Sequence, residues 1–157
     1  MADLIIMCGA PGSGKSTFAK EHLASDDNVI VSRDQIRFSL VKTKEPYFSH
    51  EDEVLTNFWK IINNTLKEGK NVIVDQTSLT KKSRKWLLDH VTGYDKVYVF
   101  WIKEKISTCL ARNEKRKGTR AYVPKDVIKN MYKSCEEPTI EEGFDFIYVL
   151  TTGEDEE

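Results

Sequence analysis

Four stretches of the chain carry residue types that could do phosphate chemistry. The first, Gly9-Ala10-Pro11-Gly12-Ser13-Gly14-Lys15-Ser16-Thr17, fits the pattern GxxxxGK[ST] from Gly9 to Ser16. Glycines at these spacings let the backbone close around an anion and turn successive N–H groups inward. A helix that starts just after them adds its positive N-terminal end. Lys15 then reaches the β- and γ-phosphates of a nucleoside triphosphate, ATP or another, and the Ser16 hydroxyl ligates Mg²⁺. The competing explanation is a glycine-rich turn that matches by chance. A strand pattern before the motif and a helix pattern after it count against that.

The second stretch, "SRDQIR", ends the apolar run Asn28–Val31. A carboxylate between two guanidinium groups is usually ion-paired surface. At the end of a core strand facing a γ-phosphate, Asp34 is instead where the proton of an acceptor hydroxyl would go during in-line attack. Arg37, one turn later on the same side, suits bidentate contact with a phosphate on the acceptor. Arg33 points elsewhere by the same periodicity and reads as structural. In the third stretch, "DQTSLTKKSR", Asp75 closes another apolar run as a second strand-end carboxylate, with helix capping or turn formation as its plain alternative. The fourth, "RNEKRKGTR" from Arg112 to Arg120, is a basic, glycine-containing break between two helical patterns. That is the composition of a mobile lid over phosphates, spanning about 112–124. Arg112 and Arg116, four apart, are expected on one helix face.

These residues need a frame that gathers them. "LIIMC", "NVIV", "NVIVD", "KVYVFWI" and "FDFIYVL" are β-rich runs of strand length, too continuous for half-exposed strands. Between them lie helix-period segments. The clearest is "EDEVLTNFWKIINNTLKEG", with Val54, Leu55, Phe58, Trp59, Ile62 and Leu66 on one face. Ser49 with Asp52 is expected to cap its start and Gly69 to end it. Strand alternating with helix predicts a three-layer α/β domain with a parallel sheet of about five strands, helices on both faces and a helical lid. In such a sheet ligands lie beyond the carboxyl ends of the strands, so Lys15, Asp34 and Asp75 converge on one crevice.

A length of 157 residues fits one domain, with residues 1–152 forming it and the acidic "GEDEE" at 153–157 reading as a frayed tail. Net charge is −1, which excludes a protein that coats nucleic acid through a broad basic surface and leaves room only for a small, local contact. Cys8, Cys109 and Cys135 form no metal-ligand spacing and read as small core residues in a reducing cytoplasm. No apolar run approaches the roughly 20 residues of a membrane span.

Taken together, "GAPGSGKST", "SRDQIR", "DQTSLTKKSR" and "ARNEKRKGTRAYVPKDVIKNMYKS" resemble the kinase domain of the phage-type polynucleotide 5′-hydroxyl kinases. That family has a P-loop NTPase fold and transfers the γ-phosphate of ATP to the 5′-hydroxyl of DNA or RNA. The resemblance runs from Leu4 to about Val149. It implies Lys15 and Ser16 on the triphosphate and metal, Asp34 as general base, and Arg37 holding the acceptor phosphate. It further implies Asp75, Thr77 and Arg84 on the substrate side, and Arg116 as the lid arginine that reaches the transferred phosphate. Arg112 and Arg120 are its neighbours on the nucleotide. No DxDGT-type sequence of the companion 3′-phosphatase is present, so any 3′-end healing is expected from another protein. Two other readings stay open: a kinase of a nucleoside, antibiotic or sugar, for which Arg37 would have no phosphate to hold, and a nucleotide-dependent switch, which leaves Asp34 without a task.

Overall fold

The computed structural model describes residues 2–42 and 44–151. The expected tail at 153–157 lies outside them. Five parallel strands, β1 (Leu4–Cys8), β2 (Asn28–Ser32), β3 (Asn71–Asp75), β4 (Val97–Ile102) and β5 (Phe146–Leu150), form one sheet in the order β2-β3-β1-β4-β5. Six helices connect or cover them: α1 (Lys15–Phe18), continued by a wider π-helical turn over Ala19–Leu23, α2 (Arg33–Leu40), α3 (Glu51–Lys67), α4 (Lys81–His90), α5 (Ile106–Glu114) and α6 (Lys125–Lys133).

Strand alternation divides the core in two. Leu4, Ile6 and Cys8 of β1 join Val72, Val74, Val97 and Val99 under Phe58, Ile62 and Leu66 of α3 and Leu87 of α4. Ile5 and Met7 point the other way and, with Ile73 and Ile102, meet Ala19 in the first helical segment. Each such fully buried aliphatic or aromatic side chain contributes about 1.5–3 kcal/mol through area removed from water. The second face is less covered at the outer strand β5, where Phe146 and Tyr148 are 41% and 43% exposed. A continuous apolar run therefore does not mean a strand buried on both faces here. β5 sits at the sheet edge, and its aromatic rings stack on Tyr98 and Phe100 of β4 instead.

Local signals place most boundaries. Pro124 precedes α6. Gly69, at φ 85°, donates its N–H to Leu66 and stops α3. The start of α3 departs from expectation: His50 occupies the cap position and no side chain caps the helix. Glu51, Asp52 and Glu53 in the first turn supply the favourable charge there. Among the described residues no helix is long and apolar enough to cross a membrane.

Candidate active site

The loop from Gly9 to Gly14 leaves β1 and wraps back into α1. Gly12 and Gly14 hold φ of 84° and 96°, open to glycine at little cost. Gly12 is also sterically committed, since a Cβ there would lie 2.5 Å from the Cys109 carbonyl oxygen. Gly9 donates its N–H to the Thr77 carbonyl at 3.0 Å, which locks the loop to the segment following β3. Arg112, on α5, donates from Nη1 to the carbonyls of Gly12 (3.3 Å) and Ser13 (3.1 Å) and pairs with Glu104 at 3.7 Å. The Gly9 and Ser13 N–H groups are spent on the carbonyls of Thr77 and Ala10, so an anion at this loop would be met by the N–H groups that follow, at the start of α1.

Ser16 donates from Oγ to Asp75 Oδ2 at 2.8 Å, and Lys15 Nζ lies 4.0 Å from Asp75 Oδ1. A hydroxyl and a carboxylate, both hard oxygen donors, face each other beside the phosphate loop. This pair fits Mg²⁺, which takes one or two protein ligands and completes its shell with phosphate oxygens and water. Among the described residues no group of three or more His, Cys, Asp or Glu offers a self-sufficient metal site.

Asp34 opens α2 directly beyond β2, where Ser32 pairs in register with Asp75. Its side chain is 61% exposed. Arg37 donates from Nη1 to Asp34 Oδ1 at 2.5 Å, as the spacing of one turn suggested. The rest of the arginine's surroundings differ from the sequence expectation. Arg37 is only 4% exposed; Nε and Nη2 hold both oxygens of Glu51 at 3.0 and 2.8 Å, and Nη1 also donates to Tyr47 Oη at 2.7 Å. Its guanidinium lies 4.5 Å over the Tyr47 ring. Burial works against the charge on Arg37, yet the hydrogen bond to Glu51 outweighs it and holds the pKa above the ordinary value. Glu51 is likewise kept below the usual carboxylate range, its own burial outweighed by bonds from Arg37 and Arg33. Four of the five N–H donors of Arg37 are thus engaged within the protein, and the residue supports Asp34 instead of standing as a free clamp for a phosphate. Arg33 spans from Glu51 (2.6 Å) to Gln76 Oε1 (3.2 Å) and is structural, as its periodicity indicated.

The lid takes a different form from a shared helical face. α5 ends at Glu114, so Arg116 sits in the turn beyond it, half-buried. Its guanidinium has no hydrogen-bond or ionic partner among the described residues, while its backbone bonds Asn113 and Thr119. Arg120 reaches across to the carbonyls of Phe38 (3.2 Å) and Val41 and stacks 4.7 Å over Phe38, tying the lid to the end of α2. Of the three lid arginines, Arg112 braces the phosphate loop, Arg120 anchors the lid, and Arg116 keeps its donors.

Arg84 leaves the site altogether. It is fully buried, with Nε and Nη2 on Glu142 at 2.8 and 3.2 Å, Nη1 on the Ser78 carbonyl and Nη2 on the Glu136 carbonyl. The expected substrate arginine is a cross-brace between α4 and the segment leading into β5. Thr77 follows β3, accepts from the Gly9 N–H through its carbonyl, and borders a cleft of about 340 Å³ with Leu79, Thr80, Val127, Asn130 and Met131. Glu51 and Tyr47, neither marked by the sequence motifs, complete the setting of Asp34. Three consecutive acidic residues after "PYFSH" are the only trace they left.

A solved structure titled "Structure of the Pnkp1/Rnl/Hen1 RNA repair complex" superposes with a TM-score of 0.71 at 28% identity, covering 85% of this chain and 43% of that one. In sequence the chain is 34% identical to an L-seryl-tRNA(Sec) kinase of Methanococcus maripaludis over 148 residues, 90% of this chain and 56% of that protein. It is 25% identical over 146 residues to a bifunctional polynucleotide phosphatase/kinase of Schizosaccharomyces pombe, 90% of this chain and 32% of that protein. The chain therefore spans little more than half the length of these curated relatives, or less. The strand order, the phosphate loop and the two strand-end carboxylates make this an α/β P-loop kinase fold. A family model described as "AAA domain" matches residues 4–138, from β1 through the phosphate loop, Asp34, Asp75 and the lid, and the chain belongs to that family, AAA_33.

Proposed function

We propose that this chain transfers the γ-phosphate of ATP to the 5′-hydroxyl end of a polynucleotide, DNA or RNA, with Asp34 as the general base. The observation that carries the reading is the Asp34 carboxylate itself. It stands exposed beyond β2, beside Asp75 and the phosphate loop, and among the described residues only Oδ1 is engaged by protein donors. Such a group is placed to take the proton of a hydroxyl acceptor.

In this mechanism the N–H groups at the end of the loop and the start of α1, with Lys15, hold the phosphates, and Lys15 follows charge as it moves toward the leaving oxygen. Ser16 and Asp75 would hold Mg²⁺, which supplies charge neutralisation on the phosphates. The acceptor oxygen forms its bond to the γ-phosphorus as the bond to the β–γ bridging oxygen breaks, ADP leaves, and the hydroxyl proton passes to Asp34. Arg116, the lid guanidinium with donors to spare, meets the transferred group. The Thr77 cleft, walled by Leu79, Val127 and Met131 beside Asn130, has the mixed surface that suits a nucleobase.

A polynucleotide acceptor is supported by the names of the relatives at 25% identity or more cited above, which concern RNA repair, a polynucleotide or a tRNA. One of these favours a second reading. The 34% match to a seryl-tRNA kinase points to a seryl hydroxyl carried on RNA. The test offers γ-labelled ATP and Mg²⁺ with 5′-hydroxyl DNA and RNA oligonucleotides, a serylated tRNA, a nucleoside 3′-monophosphate and a free nucleoside. Label on the 5′-hydroxyl oligonucleotides supports the proposal. Label on the serylated tRNA alone establishes the second reading, and equal labelling of the free nucleoside overturns both.

A further inference from the structure

Asp34 is on a helix, but one of the two groups that fix its carboxylate comes from the loop between α2 and α3. Tyr47 donates its O–H to Asp34 Oδ1 at 2.8 Å, and Arg37 Nη1 donates both to that oxygen at 2.5 Å and to the tyrosine oxygen at 2.7 Å. The three groups close a triangle. A carboxylate oxygen has two lone-pair sites, so Oδ1 is saturated, while Oδ2 receives no donor among the described residues. An exposed aspartate is otherwise loose about its last torsion, with its two oxygens interchangeable. We infer that Tyr47 is a positioning residue for the base: with Arg37 it pins Oδ1 and leaves Oδ2 as the oxygen that takes the acceptor's proton. This rests on the proposed role of Asp34.

Two further features suit the task. The phenol must keep its proton to donate, and desolvation, then the charge of Asp34 and the bond to it, push its pKa up to about 12. The Tyr47 ring is also held independently of its hydroxyl, by the Arg37 guanidinium over its face and by an edge contact to Phe48 with centroids 4.7 Å apart. Removing the hydroxyl alone therefore leaves the ring in place and frees one of the two anchors.

The experiment is a double-mutant cycle of Tyr47→Phe and Asp34→Asn, read with ATP and a 5′-hydroxyl oligonucleotide. Misplacing a reacting group by an ångström costs up to about 10²-fold, so Tyr47→Phe is expected to lower kcat about 10- to 100-fold with the KM for ATP nearly unchanged. In the Asp34→Asn background the same change should have no further effect, because the residue it acts through is gone. A second readout needs no acceptor. In protein labelled at tyrosine ¹³Cζ, the resonance absent from Tyr47→Phe should move in Asp34→Asn while the other tyrosines stay put. Near-normal turnover of Tyr47→Phe, equal losses in both backgrounds, or an unmoved resonance overturns the inference. If Asp34→Asn is slow and Tyr47→Phe is not, only the tyrosine's role falls. If Asp34→Asn turns over normally, the base assignment falls first and takes this role with it.

Discussion

Arg84→Ala should unfold this domain at a much lower temperature without touching the chemistry. The arginine is 0% exposed and places Nε, Nη1 and Nη2 on four oxygen acceptors, both oxygens of Glu142 and the carbonyls of Ser78 and Glu136, with Cys8 Sγ also 3.9 Å from Nη1. Truncation leaves the Glu142 carboxylate, whose side chain is 13% exposed, without its cation and with only Thr139 as hydrogen-bond donor, and opens the space of a long side chain beneath α4. Removing one partner of a buried ion pair costs about 3–5 kcal/mol. For a chain of this size each kcal/mol is worth about 2–4 °C, so the midpoint should fall by roughly 6–20 °C. The deficit also has a pH signature. Burial raises the Glu142 pKa, but the bond from Arg84 outweighs it and holds the carboxyl below its ordinary 4.5. A group depressed in the folded state gives stability above its unfolded pKa that fades as pH falls through the folded value. The gap between wild type and mutant should thus be largest above pH 4.5 and narrow below it. Circular dichroism melts at two pH values measure both. A melting point within about 3 °C of wild type at neutral pH, together with a raised KM for the acceptor, would return Arg84 to the substrate and refute the brace.

Three shorter predictions accompany it. Gly12→Ala forces a Cβ to within 2.5 Å of the Cys109 carbonyl at a φ of 84°, a strain of about 1–3 kcal/mol, and ATP affinity measured by calorimetry should drop sharply; wild-type affinity would mean the loop has another shape. Arg116→Ala should reduce kcat by about 10³-fold or more while leaving the melting point in place, and a larger loss for Arg112→Ala or Arg120→Ala would move the lid role to that residue. His50, hydrogen-bonded to Glu45 and then Glu53, has its pKa raised above 6.5; contacts of a group shifted this way are fully formed below pH 6.5 and lost as pH rises through the folded value. Its ring proton resonances should therefore titrate above 6.5, and a midpoint at or below 6.5 contradicts the pairing.

The readable parts of this molecule are those whose cause is local. The glycine spacing of Gly9–Gly14, the ends of β2 and β3 within a residue of Val31 and at Asp75, and the α3 face through Phe58 and Ile62 all follow from neighbours a few positions away. What escaped depends on distant partners. Arg37 stands one turn after Asp34, which suggested a free guanidinium, but Glu51 fourteen positions on holds its Nε and Nη2. Arg84 lies in a run of basic residues after a strand, and its burial is decided by Glu142, 58 positions downstream. β5 has the composition of a core strand, and only the sheet order puts it at an edge. Tyr47 belongs to a loop with no periodicity, where nothing local says which atom its hydroxyl meets.

The base assignment meets its most direct test in Asp34→Asn, assayed for kcat with ATP and an excess of 5′-hydroxyl oligonucleotide and melted in the same buffer. Asparagine keeps the shape and cannot take the proton, and general-base help is worth about 10²–10⁴-fold, so kcat should fall by that factor. Arg37 keeps its bonds to Glu51, and the pair lost has a mostly exposed carboxylate worth about 0–1 kcal/mol, so the melting point should move by no more than a few degrees. Near-normal turnover with a lowered melting point would contradict the account, leaving Asp34 an ion-pair partner of Arg37 and the chain without an identified base.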